Sequence, residues 1–102
     1  MNHSIDTQLK RIQRLRLLQK INSHDPDPVS DQGLFNVLMR EDTDLGFTKR
    51  IIRQHLSYLH ELGFVRVEKD EAAWAATIRP FGVDYLDGLR EDQEGIARST
   101  EA

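Results

Sequence analysis

The chain has 102 residues, enough for one small domain whose core buries about 60–70% of the unfolded surface. It has no cysteine, which excludes disulfides and thiolate zinc sites. Fourteen Lys and Arg against 17 Asp and Glu give a net charge of −3, an argument against strong nonspecific nucleic-acid binding by the molecule as a whole.

The first expected helix covers Asp6 to Ile21. Leu9, Ile12, Leu15, Leu18 and Ile21 recur at three-residue steps, and Leu17 widens the stripe. Lys10, Arg11, Arg14, Arg16 and Lys20 surround it and read as a solvated face. HDPDPVSDQG follows, and its two Asp-Pro pairs forbid helix. Val29 is a candidate for a very short strand pairing. Ser30 or Asp31 can cap a second helix, expected over Asp31 to Arg40, with Leu34, Phe35, Leu38 and Met39 as its apolar face.

EDTDLGF breaks the pattern, and Gly46 suits the sharp turn. Thr48 then caps a third helix, Lys49 to Leu62, which Gly63 ends. FVRVEK (64–69) alternates like a half-buried strand, with AAWAATI (72–78) as its hairpin partner. Trp74 reads as core packing of that hairpin, with base stacking as the alternative. Pro80 opens a last helix. Phe81, Tyr85 and Leu89 are expected to bury against the first helix or against a second copy. From Glu91 the chain turns polar and reads as a disordered tail.

Helix, helix, turn, helix, hairpin, helix is the order of a winged helix-turn-helix domain. The expected fold is mainly α with a small β-hairpin: a three-helix core, a two-stranded wing and a C-terminal helix. The domain spans 1–90 and the tail 91–102.

Helix 49–62 divides by angle. Ile52, Leu56, Leu59 and Leu62 fall within about 120°, with Ile51 at the edge. Lys49, Arg50, Arg53, Gln54, Ser57, His60 and Glu61 fall on the far side. The basic residues sit in the first two turns, the part that a helix-turn-helix presents to the major groove. Arg can bond two acceptors of guanine, and Gln can do the same for adenine. Thr48 and Lys49 at the helix N-terminus suit phosphates, and Arg50, Arg53, Gln54 and Ser57 are expected to face base edges. The plain alternative is a solvated face, since any exposed helix collects such residues. The hairpin tip, EKDE (68–71), carries three acids, so it is expected to contribute little to DNA contact.

His55 falls within the apolar face and reads as a buried histidine with a hydrogen-bond partner, not a metal ligand. No catalytic set with a recognisable spacing is present, and no cofactor or metal is expected. The longest apolar runs are too short to span a membrane, and MNHSIDTQLK lacks a signal-peptide layout. A cytoplasmic location is therefore expected.

Three stretches carry a resemblance: RIQRLRLLQKI, TKRIIRQHLSYLHELGFV and WAATIRPFGVDYLDG, the last with Trp74, Ala76, Thr77, Gly82, Asp84 and Gly88 in register. Over residues 9 to 89 the chain resembles a family of small winged-helix proteins of Mu-like phages and prophages. His55 departs from the acidic residue expected there, and Pro80 and Phe81 replace a more polar approach to Gly82. The resemblance implies a winged-helix fold and a phage setting.

The expected function is a homodimeric transcription regulator that binds double-stranded DNA through Thr48, Lys49, Arg50, Arg53, Gln54 and Ser57. The rival is a protein–protein interaction module that docks a phage or host partner without DNA binding. Net charge and the acidic hairpin tip favour that rival.

Overall fold

The computed structural model describes residues 4–98. Four helices, α1 (Ile5–Ser23), α2 (Asp31–Glu41), α3 (Lys49–Glu61) and α4 (Pro80–Leu86), pack with three short strands, β1 (Val29–Ser30), β2 (Val65–Lys69) and β3 (Trp74–Ile78). The strands form one antiparallel sheet in the order β1-β3-β2. The sheet thus has a third strand beyond the expected hairpin, because Val29 pairs with Ala76 and Ser30 with Ala75. Pairing on both edges holds β3 extended despite its alanines, whose own strand preference is weak.

α1 runs longer than its stripe suggested and is the centre of the fold. It touches α2, α3, α4 and β3. Leu15 and Leu17, about 200° apart around the helix, are both fully buried, as are Leu18 and Ile21. A helix walled on several sides needs apolar residues beyond one stripe.

α2 is capped by Ser30, whose hydroxyl accepts the N–H of Gly33 at 2.9 Å. A short 3₁₀ turn, Thr43–Leu45, follows, and Gly46 takes φ 68° to redirect the chain into α3. Thr48 caps α3 by accepting the N–H of Ile51 at 3.1 Å. At its far end Gly63 sits at φ 79°. There the N–H of Phe64 donates to the carbonyl of Leu59, and that of Gly63 to the carbonyl of His60, so two end carbonyls are satisfied. The chain then passes directly into β2.

At the C-terminal end, Tyr85 is buried, whereas Phe81 is half exposed and Leu89, beyond the end of α4, is 74% exposed, so these two do not bury against α1 as the first alternative had it. Residues 91–98 are irregular but are not a loose tail. Ile96 and Ala97 are buried in the core. The Tyr85 hydroxyl donates to the carbonyl of Ile96 at 2.8 Å, and the N–H of Ala97 donates to the carbonyl of Arg11 at 3.1 Å. Arg98 pairs with Asp92 and lies over the ring of Tyr85. The segment straps α4 to α1. Residues 99–102, the rest of the expected tail, lie outside the described residues.

Candidate functional site

The inner face of α3 buries Ile52, His55, Leu56 and Leu59. Its outer face leaves Lys49, Arg50, Arg53, Gln54 and Ser57 on one side, and these five with Trp74 of β3 line an open groove of about 530 Å³. Arg50 and Gln54 are exposed, and Lys49, Arg53 and Ser57 are half-buried. Thr48, also exposed, stands at the start of the helix and uses its hydroxyl oxygen as the cap acceptor. That use leaves its O–H able to donate. Five of the six expected contact residues therefore share the groove, and Thr48 adjoins it. His60 does not join them: its Nδ1 accepts the N–H of Val67 at 3.1 Å and ties the end of α3 to β2.

Arg53 differs from its neighbours. Its Nε donates to Oδ2 of Asp31 at 2.7 Å. Asp31 is fully buried at the start of α2, and its Oδ1 accepts the backbone N–H of Gln32 at 3.0 Å and of Trp74 at 3.3 Å. Burial works to raise this carboxyl. The Arg53 hydrogen bond, the Trp74 N–H and the charges of Arg53 and Lys49 outweigh burial and hold it below the usual carboxylate range. Asp31 is thus an anion that joins α2, α3 and β3. The sequence offered it only as a capping alternative to Ser30; a carboxylate directly after a good cap, 22 residues before an arginine, gives no local signal of that role.

Trp74 is half-buried at the edge of the core and at the wall of the groove. The guanidinium carbon of Arg53 lies 5.1 Å from the ring centroid, and Lys69 Nζ lies 4.3 Å from it. Cations beside an indole are attracted by its negative face. The residue therefore packs, as expected, and also orders the cations around the groove.

Behind this face, His55 is buried as expected, and its partners come from α1. Arg14 Nε donates to His55 Nδ1 at 3.2 Å, and His55 Nε2 lies 2.8 Å from Gln13 Oε1. Gln13 Nε2 donates in turn to the carbonyl of Leu45, in the turn before α3, at 2.6 Å. Accepting at Nδ1 and donating at Nε2 requires neutral imidazole. Burial first, then the charges of Arg14 and Lys10, push the His55 pKa down to about 4. The relay fixes α1, α3 and the turn against one another.

Chemically, the groove offers ammonium, guanidinium, amide and hydroxyl donors beside one aromatic ring. Among the described residues no three His, Asp or Glu side chains gather as a metal site would need, and no helix is long and apolar enough to cross a membrane. Comparison of the chain with protein-family models, with curated proteins and with solved structures gave no match.

Proposed function

We propose that this protein is a winged helix-turn-helix DNA-binding protein, a regulator of the kind found in Mu-like phages and prophages, with α3 as its recognition helix. One observation carries the reading: Lys49, Arg50, Arg53, Gln54 and Ser57 line one groove on the outer face of a helix whose other face is core. The order of elements supports it, since α2, a short turn and α3 are followed by the β2–β3 hairpin. Lys49, Arg50 and the helix N-terminus suit phosphates; Gln54, Ser57 and Arg53 suit base edges. A dimer would present two such helices to paired half-sites, and exposed Phe81 and Leu89 are apolar surface available to a second copy. A cytoplasmic setting goes with this role.

The test is fluorescence anisotropy with a labelled random-sequence duplex at low and near-physiological salt. Binding that weakens steeply as salt rises is expected, because released counterions drive it. Lys49→Ala plus Arg50→Ala should reduce it, while unchanged affinity in that variant would dismiss this face. A dimer is expected by light scattering.

A second reading is a protein-interaction module. It is favoured by the exposed Glu68, Asp70 and Glu71 of the hairpin tip and by the net charge of −3. No duplex binding at low salt, with a partner retained through nuclease treatment, would select it.

A further inference from the structure

Arg50 and Arg53 belong to the same helix face, yet they are held differently. Arg50 is exposed and makes no ion pair among the described residues. Arg53 is gripped at Nε by a fully buried carboxylate and flanked by the Trp74 ring. The carboxylate is itself immobilised by the backbone N–H groups of Gln32 and Trp74. Among the described residues, the two Nη groups of Arg53 have no acceptor, and the side chain lines the groove.

Two consequences follow. A guanidinium fixed through Nε and one ring contact keeps its Nη donors in one orientation, so the entropy of ordering them is already met. Asp31 also cancels the net charge of Arg53. Little is left to attract a phosphate at distance, while the fixed donors remain. A neutral pair of acceptors on a rigid plane is the better match. In duplex DNA that pair is O6 and N7 of guanine, in the major groove.

We propose that Arg53 is the specificity-determining residue of the groove, reading guanine, and that Asp31 is a positioning residue which orients it and screens its charge from phosphates. Lys49 and Arg50, exposed or half-buried in the first turn, supply phosphate contacts instead. This rests on the DNA reading above and goes beyond it by dividing the basic residues into two roles.

The experiment selects preferred duplexes from a random pool with the full chain, then measures affinity against salt for wild type, Arg53→Lys and Asp31→Asn. The wild-type site should contain a G·C pair whose replacement costs on the order of ten-fold in affinity. Replacing that guanine by 7-deazaguanine, which lacks N7, should cost a similar factor. Arg53→Lys keeps a cation for Asp31 but loses the fork; it should bind with an unchanged salt slope and be indifferent to 7-deazaguanine. Asp31→Asn unmasks the Arg53 charge; it should lose the guanine preference while its salt dependence steepens by about one phosphate. Should Asp31→Asn fail to fold, Arg53→Lys and the modified base still decide the assignment of Arg53, and Asp31→Glu, which keeps the charge but shifts the carboxylate, tests the positioning by the same loss of guanine preference.

Preference for guanine at that position that survives in Arg53→Lys, or wild-type indifference to 7-deazaguanine, would overturn the assignment and leave DNA binding standing. Arg53→Lys that flattens the salt slope would make Arg53 a phosphate contact. Absence of any duplex binding by wild type would remove the DNA reading and this inference together.

Discussion

His55 of α3 and Gln13 of α1 are joined inside the core, Nε2 to Oε1, at 2.8 Å. Nδ1 accepts from Arg14, and that bond exists only while the imidazole is neutral, since a protonated Nδ1 would set N–H against the Arg14 N–H. The folded pKa of about 4 lies below the ordinary value of 6.5. The unfolded chain therefore binds this proton more readily. Stability from the neutral histidine is fully present above pH 6.5 and is lost as pH falls towards 4. The whole loss is about 3 kcal/mol, reached below pH 4. Urea denaturation of wild type and His55→Gln at pH 7 and at pH 4.5 isolates the contribution. The variant should lose less stability on acidification than wild type. An NMR titration should show the His55 ring unprotonated at pH 5.

Gly82 carries a second expectation. A Cβ built there would sit 2.3 Å from the carbonyl oxygen of Phe64 and 2.9 Å from Ile78 Cδ1. The first neighbour is backbone and is already held, since it accepts the N–H of Arg79 at 3.0 Å. It cannot give way as a flexible side chain would. Gly82→Ala should therefore destabilise by about 2 kcal/mol or more, despite the better helix propensity of alanine. Thermal unfolding should register this as a fall of roughly 10 °C. An unchanged midpoint would mean that α4 can shift away from Phe64.

The same two residues show what the sequence could and could not convey. Gly82 belongs to the third resembling stretch, but its reason, close approach of α4 to a carbonyl 18 residues earlier, is a property of packing. The core face of α3, that of α2 except for Met39, which is 43% exposed, both N-caps and the glycine stop at Gly63 were legible because each is a local pattern of spacing or capping. His55 was placed in the core by angle alone. Its partners on α1 were not visible, because no short-range pattern links positions 13, 14 and 55. Asp31 escaped for the same reason. The strap at 91–98 was misread because composition dominated: two apolar residues, Ile96 and Ala97, sit among charged ones and are buried through long-range contacts with Tyr85 and Arg11.

That strap makes a third expectation. Ile96 is fully buried, so Ile96→Ala removes buried methylenes and leaves a void. The cost should be about 2–4 kcal/mol by chemical denaturation. Tyr85→Phe removes only the hydroxyl that donates to the Ile96 carbonyl and should cost about 1 kcal/mol. Gly95 makes a separate contact of the strap with α3, since a Cβ there would meet the Tyr58 hydroxyl at 2.1 Å. Rapid proteolysis at 91–98 in the native protein, together with unchanged stability in Ile96→Ala, would show that the strap is not closed in solution.

The hairpin tip gives the last expectation. Glu68, Asp70 and Glu71 are all exposed, but they are not equivalent. Asp70 Oδ1 accepts the N–H groups of Ala72 at 2.9 Å and Ala73 at 2.7 Å, which closes the loop between β2 and β3. Glu71 has no such bond among the described residues. Asp70→Ala should thus cost about 1 kcal/mol of stability. Glu71→Gln should leave stability unchanged. On DNA, an exposed charge acts across solvent and is screened within about 8 Å at physiological ionic strength. If the tip stands clear of the duplex, Glu71→Gln should change affinity by less than about two-fold at that salt. Anisotropy titrations of both variants check this. A several-fold gain in Glu71→Gln would bring the tip against the phosphates, and the hairpin would then have to be counted as part of the interface, with its acids as a brake on binding.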